Sequence, residues 1–190
     1  MGNVANRLSG ISSTALLLAA VLLAGSIFLP WWGMSFYAPQ YPEGLTVLVY
    51  PDKLEGKVDI INGLNHYIGM KQFSEDSFPE FRYLPYLIGL MALLTAAVGV
   101  ARQRRLLYGL IGLFVIGGLL GIYDIHRWLV DFGTNLDPKA PIKIAPFVPP
   151  VVGKNQLANF TTNSFFGKGA YLAGIAFLLM LVPLWRDRKQ

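Results

Sequence analysis

The sequence predicts an all-α membrane protein of four transmembrane helices, with both termini on the cytoplasmic side. Three observations lead there. Hydrophobic residues make up 54% of the 190 and charged residues only 14%, too few to cover the surface of a water-soluble domain. The apolar residues gather into four runs, Ile11 to Trp31, Leu84 to Ala101, Leu106 to Tyr123 and Ala170 to Trp185, each near the roughly 17–25 residues that a helix needs to cross hydrocarbon. The basic residues are also lopsided. Arg7, Arg102, Arg104, Arg105, Arg186, Arg188 and Lys189 fall on one side of the runs with only Asp187 against them, whereas the other connecting stretches are nearly balanced. By the positive-inside rule that side is cytoplasmic.

Residues 1–190 therefore read as a single four-helix membrane domain, with ordered extracytoplasmic loops at 32–83 and 124–169. The net charge of +5 reports topology. Binding of nucleic acid would need a basic surface on a soluble domain, so the predicted partners are membrane lipid and protein, with no nucleic acid. The chain has no cysteine, which excludes disulfides and thiolate metal sites.

The first run is longer than a signal-peptide core and lacks a small-residue cleavage site before Pro30, so it reads as an uncleaved anchor. Trp31 and Trp32 at its end suit the headgroup layer. In the first outer loop, the β-branched stretches Thr46 to Tyr50 and Lys57 to Ile61 flank Pro51 to Gly56 and predict a hairpin. Asn62 then reads as the cap of a short helix over Gly63 to Phe73. Ser77-Phe78-Pro79-Glu80 has capping-box spacing ahead of the second run, and Pro85 sits where a missing N–H costs least. The turn Arg102 to Arg105 forces the second and third runs into an antiparallel pair.

The third run carries Gly109, Gly112, Gly117, Gly118 and Gly121. The G-x-x-x-G at Gly117 and Gly121 suits close helix packing and predicts either the central helix of the bundle or the face that meets a partner. The helix should continue past the membrane through Phe132. There Asp124, Arg127 and Asp131 share one face and His126 points away, a row able to pair internally or with a partner. Pro138, Pro141, Pro146, Pro149 and Pro150 then predict a strap laid over other structure.

Candidate chemistry is sparse. His66 and Met70 are four apart, hence on one helical face, and Met34 lies just outside the first run. Imidazole with thioether suits copper, so His66, Met70 and Met34 are the candidate metal ligands and copper the candidate cofactor. A haem on His66 and His126 would require both outer loops to meet, and neither histidine lies within a run. No ionisable residue occupies the middle of any run, which argues against an ion pathway. Neither G-x-S-x-G nor H-E-x-x-H occurs. Lys143, Lys154 and Lys168 read as solvated loop charges rather than an anion cradle.

Several stretches carry a resemblance: Asn62-Gly63-Leu64-Asn65-His66-Tyr67-Ile68-Gly69-Met70-Lys71, Pro79-Glu80-Phe81, Leu84-Pro85-Tyr86, Gly121-Ile122-Tyr123-Asp124, Asp131-Phe132-Gly133, Leu136-Asp137-Pro138, Ala140-Pro141-Ile142-Lys143, Pro149-Pro150, Gly153 and Asn159-Phe160. Together they resemble the small multi-span membrane proteins encoded in bacterial nitrous-oxide-reductase gene clusters. The resemblance implies an accessory role in that copper enzyme's maturation or electron supply. The resulting expectation is a non-enzymatic protein of the bacterial cytoplasmic membrane that docks a partner on the outer side. The alternative is a structural subunit of a membrane respiratory complex, with the glycine face of the third run against a larger subunit.

Overall fold

The structure is a computed structural model that describes residues 7–157 and 160–189. Its elements are α1 (Gly10–Ser26), β1 (Trp32–Ala38), β2 (Tyr41–Val49), β3 (Leu54–Gly56), α2 (Val58–Ile68), α3 (Leu84–Ala101), α4 (Arg104–Thr134), β4 (Gly153–Leu157), β5 (Phe160–Phe166) and α5 (Lys168–Arg186), with short 3-10 turns between α2 and α3 and after α5.

The all-α expectation is corrected. The fold is mixed α/β, because the stretches that follow α1 and precede α5 join in one five-stranded antiparallel sheet of order β3-β2-β1-β5-β4. Its central seam pairs β1 with β5, Trp32 opposite Phe166 and Met34 opposite Ser164. Residues about 130 positions apart thus complete each other's backbone hydrogen bonds, a pairing that leaves no local trace in sequence. The predicted partner of Thr46 to Tyr50 is also different. β2 pairs with β1 and with Leu54–Gly56, while Val58 to Ile61 open α2.

The expectation of four transmembrane helices is corrected as well. Three helices, α3, α4 and α5, are long and apolar enough to cross a membrane, whereas α1 is a shorter apolar helix of 17 residues. The chain leaves the helix after Ser26, and Trp31 and Trp32 belong to the joint with the sheet instead of a span. Trp31 Nε1 donates to the Ser26 carbonyl at 2.9 Å, and Trp32 Nε1 to the Val151 carbonyl at 2.7 Å. Gly167 and Gly169 donate to the carbonyls of Trp31 and Pro30 at 2.9 and 2.8 Å, stitching the start of α5 to the end of α1.

α1, rather than the glycine-rich α4, is central in the helical layer. It packs along both α3 and α5, burying Leu16, Ala19 and Leu23 beside Ala92 and Val98 of α3 and Ala173, Ala176 and Met180 of α5. Small residues at these positions let the backbones approach. α4 joins the layer through its first turns, at Leu107, Leu110 and Ile111, and through Phe114, whose ring stacks on Phe177 at 5.1 Å.

The basic ends of the chain meet at the end of the helical layer opposite the sheet. Ser9 caps α1, accepting from the Ser12 N–H at 3.2 Å. Leu8 N–H donates to the Arg102 carbonyl, and Arg102 Nε donates back to the Leu8 carbonyl. Arg102 holds a left-handed backbone, φ 54°, a conformation costly for a side-chain-bearing residue. Asp187, only 2% exposed, accepts from the Ser9 N–H at 3.1 Å, and its carbonyl accepts from Arg104 at 3.2 Å. Burial pushes the Asp187 carboxyl up, but hydrogen bonds from Ser12 and Ser9, with Arg186 nearby, outweigh it and hold the group below the usual carboxylate range.

At the sheet end, Ile61 of α2 packs with Leu45 and Val47 of β2, and Phe36, Leu64 and Phe73 close around them. α2 stops at Ile68 because Gly69 turns left-handed, φ 78°. A side chain at Gly69 would meet the Asp137 carbonyl at 2.8 Å. The expected helix over Gly63 to Phe73 is therefore shifted toward the N-terminus. Asn62 is not its cap but an interior residue whose amide accepts from the Phe73 N–H at 2.7 Å and donates to the Phe73 carbonyl at 2.9 Å.

Candidate functional site: the outer end of the long helix

The 31 residues of α4 extend about 46 Å at 1.5 Å per residue, against roughly 30 Å of hydrocarbon in a bilayer. The excess is the polar sequence from Asp124 onward, and it is here that the segment between α2 and α3 and the strap after α4 attach. Ser77-x-x-Glu80 does not cap α3. Tyr83 occupies the cap position without a side-chain bond, and Glu80 instead reaches α4, where its Oε1 accepts from Arg127 at 2.5 Å. Arg127 also donates to Asp124 at 2.8 Å. Asp131 does not join that pair. Its carboxylate accepts from Lys71 at 2.7 and 2.9 Å and also from the Asn135 amide. The predicted charge row is thus divided between two cross-ties to the first outer stretch.

Between the ties lies an aromatic cluster. Phe78 packs on Trp128 at 4.7 Å, on Phe81 at 5.2 Å and stacked on Phe132 at 5.9 Å, and Phe73 meets Phe132 at 4.8 Å. The Arg127 guanidinium lies 4.8 Å over the Trp128 ring. Glu80 is 8% exposed, and its Oε2, like Trp128 Nε1, is buried without a hydrogen-bond partner among the described residues. A carboxylate so placed depends on Arg127 for its counter-charge. Glu80, Lys71 and Trp128 are the residues that sequence reading missed, since nothing local marks a side chain 47 or 60 positions away as a partner.

The proline strap is laid across these elements as predicted from its prolines. Asp137 N–H donates to the Gly69 carbonyl at 2.8 Å, Ile142 N–H to that of Tyr67 at 2.9 Å, and Phe147 N–H to that of Gly133 at 3.0 Å. Gly133 is required there, since a Cβ would fall on the Phe147 carbonyl oxygen.

The candidate metal ligands lie on three separate segments, Met34 in β1, His66 in α2 and Met70 after the turn at Gly69. Met34 is 4% exposed within β1, paired in register with Val47 and Ser164. His66 is exposed on α2, and Met70 lies beyond the Gly69 turn, so the helical i, i+4 stacking does not apply to it. Among the described residues no group of three or more His, Cys, Asp or Glu is placed to hold a metal ion. His126 is exposed on α4, next in the chain to Arg127, and takes no part in the cross-ties that Arg127 makes to Glu80 and Asp124.

From Val115 to Tyr123 every residue of α4 is exposed. Nine consecutive residues are two and a half turns, so the helix is bare on all sides. A Cβ added at Gly109, Gly112, Gly117, Gly118 or Gly121 would meet nothing within 4 Å. Among the described residues nothing packs over these glycines, while Phe114 on one side and Trp128 and Phe132 on the other anchor the helix at both ends. No protein family, curated protein or solved structure matches this chain.

Proposed function

We propose that this chain is a non-enzymatic accessory protein of the bacterial cytoplasmic membrane that docks a protein partner on the outer side. By the resemblance of its outer stretches, that partner belongs to the maturation or electron-supply machinery of a nitrous-oxide reductase. The observation that carries the docking role is α4: anchored at both ends, bare between them, and glycine-rich where it is bare. In lipid there is no hydrophobic drive for helix association, so close van der Waals packing at small residues is what would join a second helix to it. The sheet, cross-ties and strap stand at the outer end of the same helix and lie outside the membrane, consistent with the arginine-rich opposite end being cytoplasmic.

Copper handling by the chain itself is left out of the proposal, because Met34 is buried within β1 whereas His66 is exposed on α2. The second reading, a structural subunit of a membrane respiratory complex, is favoured by the same glycines, since a permanent neighbour along α4 would cover them. Gentle detergent purification from the native cells, with identification of co-purifying proteins and metal analysis, tests both. A transient partner released by salt or dilution supports the accessory role, and a stoichiometric respiratory enzyme supports the subunit. A chain that purifies alone after in-cell crosslinking along α4 overturns both.

A further inference from the structure

Four features meet where the strap crosses the C-terminal end of α2. Tyr67 and Ile142 are 55% and 53% exposed and are joined by the Ile142 N–H bond to the Tyr67 carbonyl. Ile142 itself, with Ile68, Leu136, Pro138 and Ile144 and the charged Asp137 and Lys143, lines an open depression of about 180 Å³. That is smaller than the roughly 300–1,000 Å³ of small-molecule sites, so it suits one apolar side chain and not a metabolite. Residues 143–145, bracketed by Pro141 and Pro146, have no backbone hydrogen bond among the described residues. Although these residues lie in no strand, their unpaired backbone groups are available to an extended neighbour. Lys139 and Lys143 are exposed, and neither forms an ion pair among the described residues, whereas the nearby Asp137 carboxylate accepts from the Lys139 N–H at 2.8 Å.

Reach decides between a lipid surface and a protein. The strap attaches at Gly133 and beyond, past the eleven residues that separate Tyr123 from Thr134 in α4. At 1.5 Å per residue this is about 16 Å along the helix axis, more than the roughly 5–8 Å of headgroup layer outside the hydrocarbon. A site at that height along α4 would lie beyond the headgroup layer, which favours a protein over a lipid surface.

We propose that the edge formed by Tyr67, Ile142 and Lys143 docks an extended partner segment in which apolar residues alternate with carboxylates. One apolar side chain enters the depression, the carboxylates pair with Lys139 and Lys143, and the partner's backbone pairs with residues 143–145. Alternation follows from the pleat of an added strand, which sends successive side chains to opposite faces. This rests on the docking role proposed above and names the chemistry of the partner.

The test uses the full chain in a neutral phosphatidylcholine nanodisc, with fluorescein-labelled peptides of alternating Glu and Val or of alternating Lys and Val, and phosphatidylglycerol vesicles as a third probe. The Glu peptide should bind and the Lys peptide should not. The double variant Lys139→Glu/Lys143→Glu, and separately Ile142→Asp, should weaken binding by at least about tenfold, with unchanged thermal melting, while Lys53→Glu on β3's side of the sheet should leave it unaltered. No binding up to about 1 mM, equal binding of the Lys peptide, or binding insensitive to the variants overturns the proposal. Vesicle binding lost in the same variants overturns it in favour of a lipid surface. A native partner that still co-purifies with the double variant sinks this edge while leaving the docking role standing. Absence of any partner from the unaltered chain removes the docking role itself.

Discussion

Asp187 is a carboxylate placed on the N-terminus of a helix to which it does not belong. Its charge complements the unsatisfied N–H groups at the start of α1, and its own backbone carbonyl accepts from Arg104 at the turn between α3 and α4. Asp187→Asn should cost about 1–2 kcal/mol, read as a lower denaturation midpoint in detergent. Because the folded carboxyl lies below the usual range, the stabilisation is fully present above the unfolded value, near pH 4. It is lost as pH falls through the lower folded value. The acid limb of the stability profile should therefore flatten in the Asn variant below about pH 4, and an unchanged acid limb would contradict the account. Arg127 presents the complementary case. Arg127→Met leaves Glu80 buried without its counter-charge, at about 2–3 kcal/mol, less than the roughly 3–5 for a wholly buried pair because Arg127 is half exposed. Adding Glu80→Gln should restore most of the loss, and additive losses in the double-variant cycle would sink the dependence of Glu80 on Arg127. Neither residue advertises these roles locally. Glu80 sits at a capping-box spacing, and only the fold turns it toward α4.

At the scale of elements, α4 separates two kinds of glycine. Gly117→Ala and Gly121→Ala place a methyl in open space, so the isolated chain should be unchanged or stabilised by up to about 1 kcal/mol each, while co-purification of a partner along α4 should fall. Gly133→Ala drives its methyl into the Phe147 carbonyl and should lift the strap. The expected result is faster tryptic cleavage after Lys139 and Lys143 with little change in helical circular dichroism, and unchanged cleavage would show that the strap is held elsewhere. The extent of α4 past its apolar run was legible because Asp124, Arg127 and Asp131 keep helical spacing. Its peripheral position was not, since glycines favour close packing without saying whether the neighbour lies in the same chain. α2 was misread for a related reason. Val58, Ile60 and Ile61 suit a strand as well as a helix, and the choice was made by Ile61 packing on Leu45 and Val47.

At the scale of the molecule, the helical layer and the sheet lie at opposite ends of a polarised fold. Because the chain has no native cysteine, single cysteines can report that polarity. A cysteine in place of Asp52, exposed beside the sheet, should react with a membrane-impermeant maleimide in intact cells. One in place of Arg105 should react only after permeabilisation, and the reverse pattern would overturn the proposed orientation. Sequence by itself determined the apolar helices, the cluster of arginines at one end and the proline strap. Each of these is written in consecutive residues, as length, charge or fixed φ. Only the tertiary structure decided that Trp32–Ala38 and Phe160–Phe166 share a sheet, that α1 lies at the centre of the helical layer, and that Glu80 and Lys71 hold the C-terminal end of α4. Those outcomes depend on backbone and side-chain groups far apart in the chain satisfying one another, and such complementarity exists only once the chain has closed.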